Sequence, residues 1–199
     1  MSLSDEPAQA LTNDTPLAVS LAPNWAVVLC GTSAVALVSF IFLPWPSALA
    51  SSLLGLLMIA GADVDARTFL LPDLVTYGAL IGGLLAAPFL TDVDAWSSLE
   101  RAALRAVGVG LFFALLRIAH LRLRGREGLG LGDVKLAAAA GAWLPLAAIP
   151  YSFGLASVVA LMAVIFLRRG ETIENVKLPF GAFLCPALWL VFFLDLLFA

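Results

Sequence analysis

Long apolar runs broken by short polar stretches fill most of the chain, and the breaks carry most of the charge. A helix that crosses a bilayer needs about 20 mainly apolar residues. Runs that meet or approach that length lie at 25–43, 48–64, 74–90, 102–119, 134–149, 152–167 and 180–198. The pattern predicts an all-α polytopic membrane protein with about seven transmembrane helices and no soluble domain of any size. Pro44 and Pro46, flanking Trp45, close the first run, because proline cannot continue a helix interior. Pro150 marks a tight turn between the fifth and sixth runs. Gly78, Gly82 and Gly83 in the third run allow a neighbouring helix to come close. Residues 1–23 are polar and mildly acidic and lack a positive start, so they read as an N-terminal tail rather than a secretory signal. Residues 24–199 form the transmembrane domain.

Composition supports this picture. The chain has 199 residues, 62% hydrophobic and 13% charged, with mean hydropathy +1.02, whereas soluble domains carry about 25% charged residues. A net charge of −3 with no large basic patch argues against nucleic acid as a partner. Cys30 and Cys185 both sit inside apolar runs, where cysteine behaves as a small buried apolar residue. Two cysteines give no zinc framework, and no metal or cofactor is expected. His120, with Arg122 and Arg124 just beyond it, reads as an interfacial residue.

Loop charge sets the expected orientation. The segments around Arg67, around Arg122 to Arg126 and from Arg168 to Lys177 are predicted cytoplasmic. The acidic loop from Thr91 to Glu100 and the turn at Pro150 are predicted outside. Arg101 and Arg105 run against this pattern.

Two polar breaks stand out: GADVDARTFLLPD from Gly61 to Asp73, and REGLGLGDVKL from Arg126 to Leu136. The orientation puts both at the cytoplasmic ends of spans, so an aspartate from each can meet at similar depth. Ionisable residues there are costly and mark a functional site by default. Two carboxylates in a poorly solvated site cannot easily both ionise, so they share a proton. One can then act as base on a water while the other polarises a carbonyl. Gly128, Gly130 and Gly132 add backbone freedom and room for an extended chain beside Asp133. Ordinary roles exist for each residue taken singly. Asp133 could cap a helix, Asp65 could be an interfacial charge, and Asp73 could sit in a helix first turn. Glu127 and Lys135 could form a solvated interfacial pair, and Pro179, Phe180 and Gly181 a helix-start turn.

Three stretches resemble the type IV prepilin peptidase family, bacterial intramembrane aspartic proteases of the GxGD kind. They are DARTFLLPDLVTYGALIGGLL from Asp65, REGLGLGDVKLAAAAGAWLP from Arg126 and LPFGAFLCPAL from Leu178. The resemblance implies that Asp65 and Asp133 are the catalytic pair, with Asp63 and Asp73 as rivals for the first place. It assigns motif or substrate-groove roles to Pro72, Asp73, Glu127, Gly130, Gly132, Lys135, Pro179, Phe180 and Gly181. It implies cleavage of a prepilin or pseudopilin leader at the cytoplasmic face of the inner membrane, with membrane lipid around the protein. Pilus or type II secretion assembly machinery would be a further partner. Many family members also carry an N-terminal domain with paired CxxC motifs and methylate the new N-terminus. The cysteines for that domain are missing here, so the expectation is a short, peptidase-only form, such as those serving tight-adherence pili. Two other classes remain: a non-catalytic membrane assembly component, and a small proton-coupled transporter using the aspartates as proton sites.

Overall fold

The computed structural model describes residues 22–91, 94–125, 130–167 and 178–198. The tail at 1–21, Glu127, Gly128 and the basic segment at 168–177 lie outside the described residues. Among those described, seven α-helices and one short 3-10 turn make up the regular structure: α1 (Trp25–Phe42), α2 (Trp45–Thr68), α3 (Asp73–Ala86), α4 (Ala95–Arg124), α5 (Leu131–Trp143), α6 (Ile149–Leu167) and α7 (Phe180–Phe198). This is the all-helical polytopic architecture that the apolar runs predict.

The helices are less uniform than the runs suggest. Five of them, α1, α2, α4, α6 and α7, are long and apolar enough to cross a membrane. The other two are shorter. With 13 residues, α5 is only about 20 Å long. It stops at Trp143 because Pro145 forces Leu144 out of the helical region, to φ −102 and ψ 147. The turn expected at Pro150 therefore comes earlier, around Pro145 to Ala148. Pro150 instead falls in the first turn of α6, where a missing N–H costs nothing. At 30 residues, α4 is longer than its apolar run. It starts at Asp94, whose side chain accepts a hydrogen bond from the Ser97 N–H, and ends at Gly125 with φ +63.

Small residues let the helices close on one another. A Cβ on Gly83 of α3 would lie 2.8 Å from Ala142 and 2.9 Å from Trp143 of α5. A Cβ on Gly141 of α5 would lie 2.6 Å from the Arg105 carbonyl oxygen of α4. Thus α5 is gripped by backbone on two sides, and Leu136, Ala137, Ala139 and Ala140 are completely buried. Polar side chains add directional ties. The Trp143 indole donates to the Ala79 carbonyl at 2.7 Å. The Trp189 indole of α7 donates to Ser51 of α2 at 3.1 Å, and Ser51 pairs with Ser39 of α1 at 2.9 Å. Of the two cysteines, Cys185 is buried as expected. Cys30 is exposed on α1, because that helix packs on one side only and turns the rest of its apolar surface outward.

The end of α2 and the starts of α1, α3, α5 and α7 converge at one end of the bundle, joined by the contacts described next. The starts of α2 and α4 and the ends of α5 and α7 define the other end.

Candidate active site

Two acidic residues close together in α2 have quite different environments. Asp63 accepts hydrogen bonds from the Asn24 N–H at 2.7 Å and from Arg67 at 2.6 Å. Arg67 also donates to the Ala22 carbonyl at 2.9 Å. Asp63 is thus a fastener between the start of α1 and the end of α2. Asp65 points the other way, into the bundle, with 5% of its surface exposed. Its carboxylate accepts the Ala182 N–H at 2.7 Å. That donor belongs to the first turn of α7, where the helix dipole favours an anion.

Glycine at 181 is required by this contact. A Cβ there would lie 2.9 Å from the Asp65 carboxyl carbon and 3.1 Å from Leu71. Pro179 and Phe180 build the turn that presents this donor: the Pro179 carbonyl accepts from Ala182 at 3.2 Å, and Phe180 packs on the core.

Asp133 comes from α5. Gly130 occupies the cap position, and Asp133 is the third helical residue, its carboxylate 3.3 Å from where a Cβ on Gly130 would lie. Asp133 is therefore not the cap itself. Gly130 and Gly132 have negative φ; the only described glycine in the left-handed region is Gly125. At Gly132 the gain is proximity: a Cβ there would sit 3.0 Å from Leu71. The expectation of special backbone conformation at these two glycines is therefore corrected to close packing at Gly132.

Asp65 and Asp133 are near enough to interact electrostatically. Leu71 is the side chain between their supports. It faces Gly132 of α5 and Gly181 of α7, and it would lie 3.5 Å from a Cβ on Gly61 of α2. The loop that places Leu71 begins at Phe69, the only described non-glycine residue with positive φ, at 57°. That is a strained conformation for an aromatic residue. Replacing Leu71 with alanine should leave a gap among three helices. Because Leu71 is only partly buried, we expect a loss of about 2 kcal/mol, the low end for buried leucines, measured by thermal unfolding in detergent.

The remaining motif residues lie nearby but not on the pair. Pro72 precedes α3, and its carbonyl receives the N–H groups of Val75 and Thr76. Asp73, in the first turn of α3, forms an ion pair with Lys135 of α5. The Lys135 ammonium also stands 4.9 Å from the centre of the Tyr77 ring. These three residues tie α3 to α5 beside Asp133. Glu127 lies outside the described residues. Sequence reasoning missed Leu71 and Ala182. Leucine beside proline carries no chemical signal, and Ala182 contributes only its backbone N–H.

Among the described residues no cluster of three or more histidine, cysteine or acidic side chains could hold a metal ion. What the arrangement offers chemically is two carboxylates from separate helices, Asp65 held by a backbone donor of a third.

Residues 52–165 match the model of the type IV leader peptidase family. A prepilin leader peptidase/N-methyltransferase of Dickeya chrysanthemi is 40% identical over 129 residues, covering 64% of this chain and 44% of the relative. One from Aeromonas hydrophila is 34% identical over 175 residues, covering 87% and 52%. A type 4 prepilin-like proteins leader peptide-processing enzyme of Escherichia coli O78:H11 is 37% identical, covering 70% and 50%. The chain thus spans about half the length of the curated relatives it matches. No solved structure gives a significant match.

Proposed function

The chain belongs to the type IV leader peptidase family, and on that premise we propose that it is a membrane-embedded aspartic endopeptidase that removes the short leader from a type IV prepilin or pseudopilin. Asp65 and Asp133 are the catalytic pair, and residues 24–199 hold the reaction. The observation that carries this reading is the pairing itself. A buried carboxylate on the α7 N-terminus stands within electrostatic reach of a second one from α5, while Asp63 is committed to Arg67 and Asn24.

In this mechanism the pair holds one proton. The ionised carboxylate takes a proton from water as the water oxygen bonds to the scissile carbonyl carbon. The protonated carboxyl gives its proton to the carbonyl oxygen. The resulting gem-diol breaks at the C–N bond: the leaving nitrogen takes the proton that the first carboxylate had accepted, and the second carboxylate takes a proton back from a gem-diol hydroxyl, which restores the one-proton pair. One water is consumed and no enzyme bond to substrate forms. The proposal covers the peptidase reaction alone.

The basic residues support a cytoplasmic active site in the bacterial inner membrane. Arg67, Arg117, Arg122, Arg124 and Lys135 lie toward the end that holds the two aspartates, the side that faces the cytoplasm under the positive-inside rule. A prepilin's basic leader would reach this end from the cytoplasm, its apolar helix lying in the bilayer. Assembly machinery of a pilus or type II secretion system would receive the product.

The test is direct. Purified protein in lipid is incubated with a prepilin in ¹⁸O-enriched water, and the released leader is weighed. A leader carrying the label at its new carboxylate is the expected result. Failure to cut any pilus-type precursor would sink the reading.

A further inference from the structure

At the opposite end of the bundle from the two aspartates lies a cavity of about 240 Å³ between the starts and ends of α4, α5 and α7. Its charged lining is Arg101, Arg105 and Asp195, beside the hydroxyls of Ser98 and Thr91, which pair at 2.6 Å. The arginines are one helical turn apart on α4. Arg101 acts electrostatically on Arg105, and Asp195 is the carboxylate whose charge reaches Arg105. Two cations against one anion leave the cavity lining net positive. Arg105 is half-buried, and its Nε donates to the Gly141 carbonyl at 3.2 Å. That bond fixes the stem, and among the described residues the terminal amino groups of the guanidinium show no hydrogen bond. A planar fork of this kind matches phosphate oxygens.

A second feature meets the first at Arg105. An apolar groove of about 690 Å³ runs between α4 and α6, and among the described residues Arg105 is the one charged residue in its lining. Leu104, Gly108 and Phe112 form its α4 wall, and Ile149 and Phe153 its α6 wall. Phe153 stacks on Phe113 at 4.6 Å, which gives the groove a firm floor. A Cβ on Gly108 would meet nothing within 4 Å, so the groove is open there.

We propose that this paired site binds one anionic phospholipid, with its phosphate over Arg101 and Arg105 and an acyl chain in the α4–α6 groove. A free phosphate would use the cavity but has no need of the groove, and a neutral acyl chain would use the groove but not the arginines. The joining of the two at one arginine selects a molecule with both parts. The site also gives a reason for two arginines on the side of the bundle where basic residues are otherwise scarce.

The experiment is native mass spectrometry of the full chain released from micelles that hold phosphatidylglycerol and phosphatidylcholine with identical acyl chains. Retention of phosphatidylglycerol in preference, by about fivefold for each arginine engaged, is the expected result. Arg101 is exposed, so Arg101→Gln should fold normally and reduce the preference about fivefold. Gly108→Phe, which projects into open space, should lower retention of the lipid while leaving the arginines in place. Equal retention of both lipids by the wild type overturns the proposal, as does an unchanged preference in Arg101→Gln. Release of phosphatidylglycerol by millimolar inorganic phosphate, with no effect of Gly108→Phe, would assign the cavity to free phosphate and also overturn it. None of these readouts depends on peptide cleavage.

Discussion

Asp65→Asn and Asp133→Asn should each lower prepilin cleavage by about 10³-fold or more, within or beyond the usual range for removing a general acid or base. Asparagine keeps the size of aspartate, and at position 65 it can still accept from Ala182, so both variants should fold. It cannot hold or release the shared proton. The control is Asp63→Asn, two residues from Asp65 in sequence but turned toward Arg67 and Asn24. That variant should lose roughly 1 kcal/mol of stability, as for an ion pair only partly open to solvent, and keep its cleavage rate. The wild-type rate should also fall on both sides of an optimum pH. When both carboxyls are protonated there is no base, and when both are ionised there is no acid. Cleavage surviving in either dyad variant, or lost in Asp63→Asn, would refute the assignment.

The largest effect on stability should come from Gly141→Ala. The added methyl would meet the Arg105 carbonyl oxygen at 2.6 Å, its carbon at 2.8 Å and the Ala106 Cα at 2.9 Å. All three are backbone atoms of α4, so no rotamer change relieves the clash. The helices must separate, and α5 cannot move away freely because Gly83 of α3 brings another backbone against its end. Overpacking of this kind costs about 1–3 kcal/mol, and a rigid neighbour puts this case at or above the top of that range. Unfolding in a graded denaturing detergent measures it. Gly108→Ala makes the comparison, since its methyl enters open space. It should be neutral or gain up to about 1 kcal/mol from helix propensity. If the two variants unfold alike, close backbone contact at Gly141 is not what holds α4 to α5.

Much of the fold was legible because lipid imposes a simple grammar: apolar length marks helices and proline marks their ends. The boundaries that slipped have local causes. Pro145, not Pro150, stops α5, because a proline ends the helix before it and is tolerated in the first turn after it. The reach of α4 past its apolar run rests on caps at Asp94 and Gly125, which hydropathy does not see. At the site, the two acidic stretches could be found because carboxylates are rare in such a chain. The apolar pattern alone did not separate Asp63 from Asp65; the family resemblance named Asp65. Both lie on the same helix near its end, and only the bundle decides which one turns inward. Leu71 was equally invisible, since its importance comes from three glycines on three other segments.

The shortness of α5 has a consequence for hydration. A rod of about 20 Å cannot reach both faces of a hydrocarbon layer about 30 Å thick. Either the layer thins around it or one end stops below the surface. Asp133 belongs to the first turn of that rod and is only partly covered by protein. Acyl chains cannot solvate the uncovered part of a carboxyl group, so the solvent there has to be water drawn down from the surface. In the proposed hydrolysis, the truncated helix would be the inlet through which the second reactant arrives.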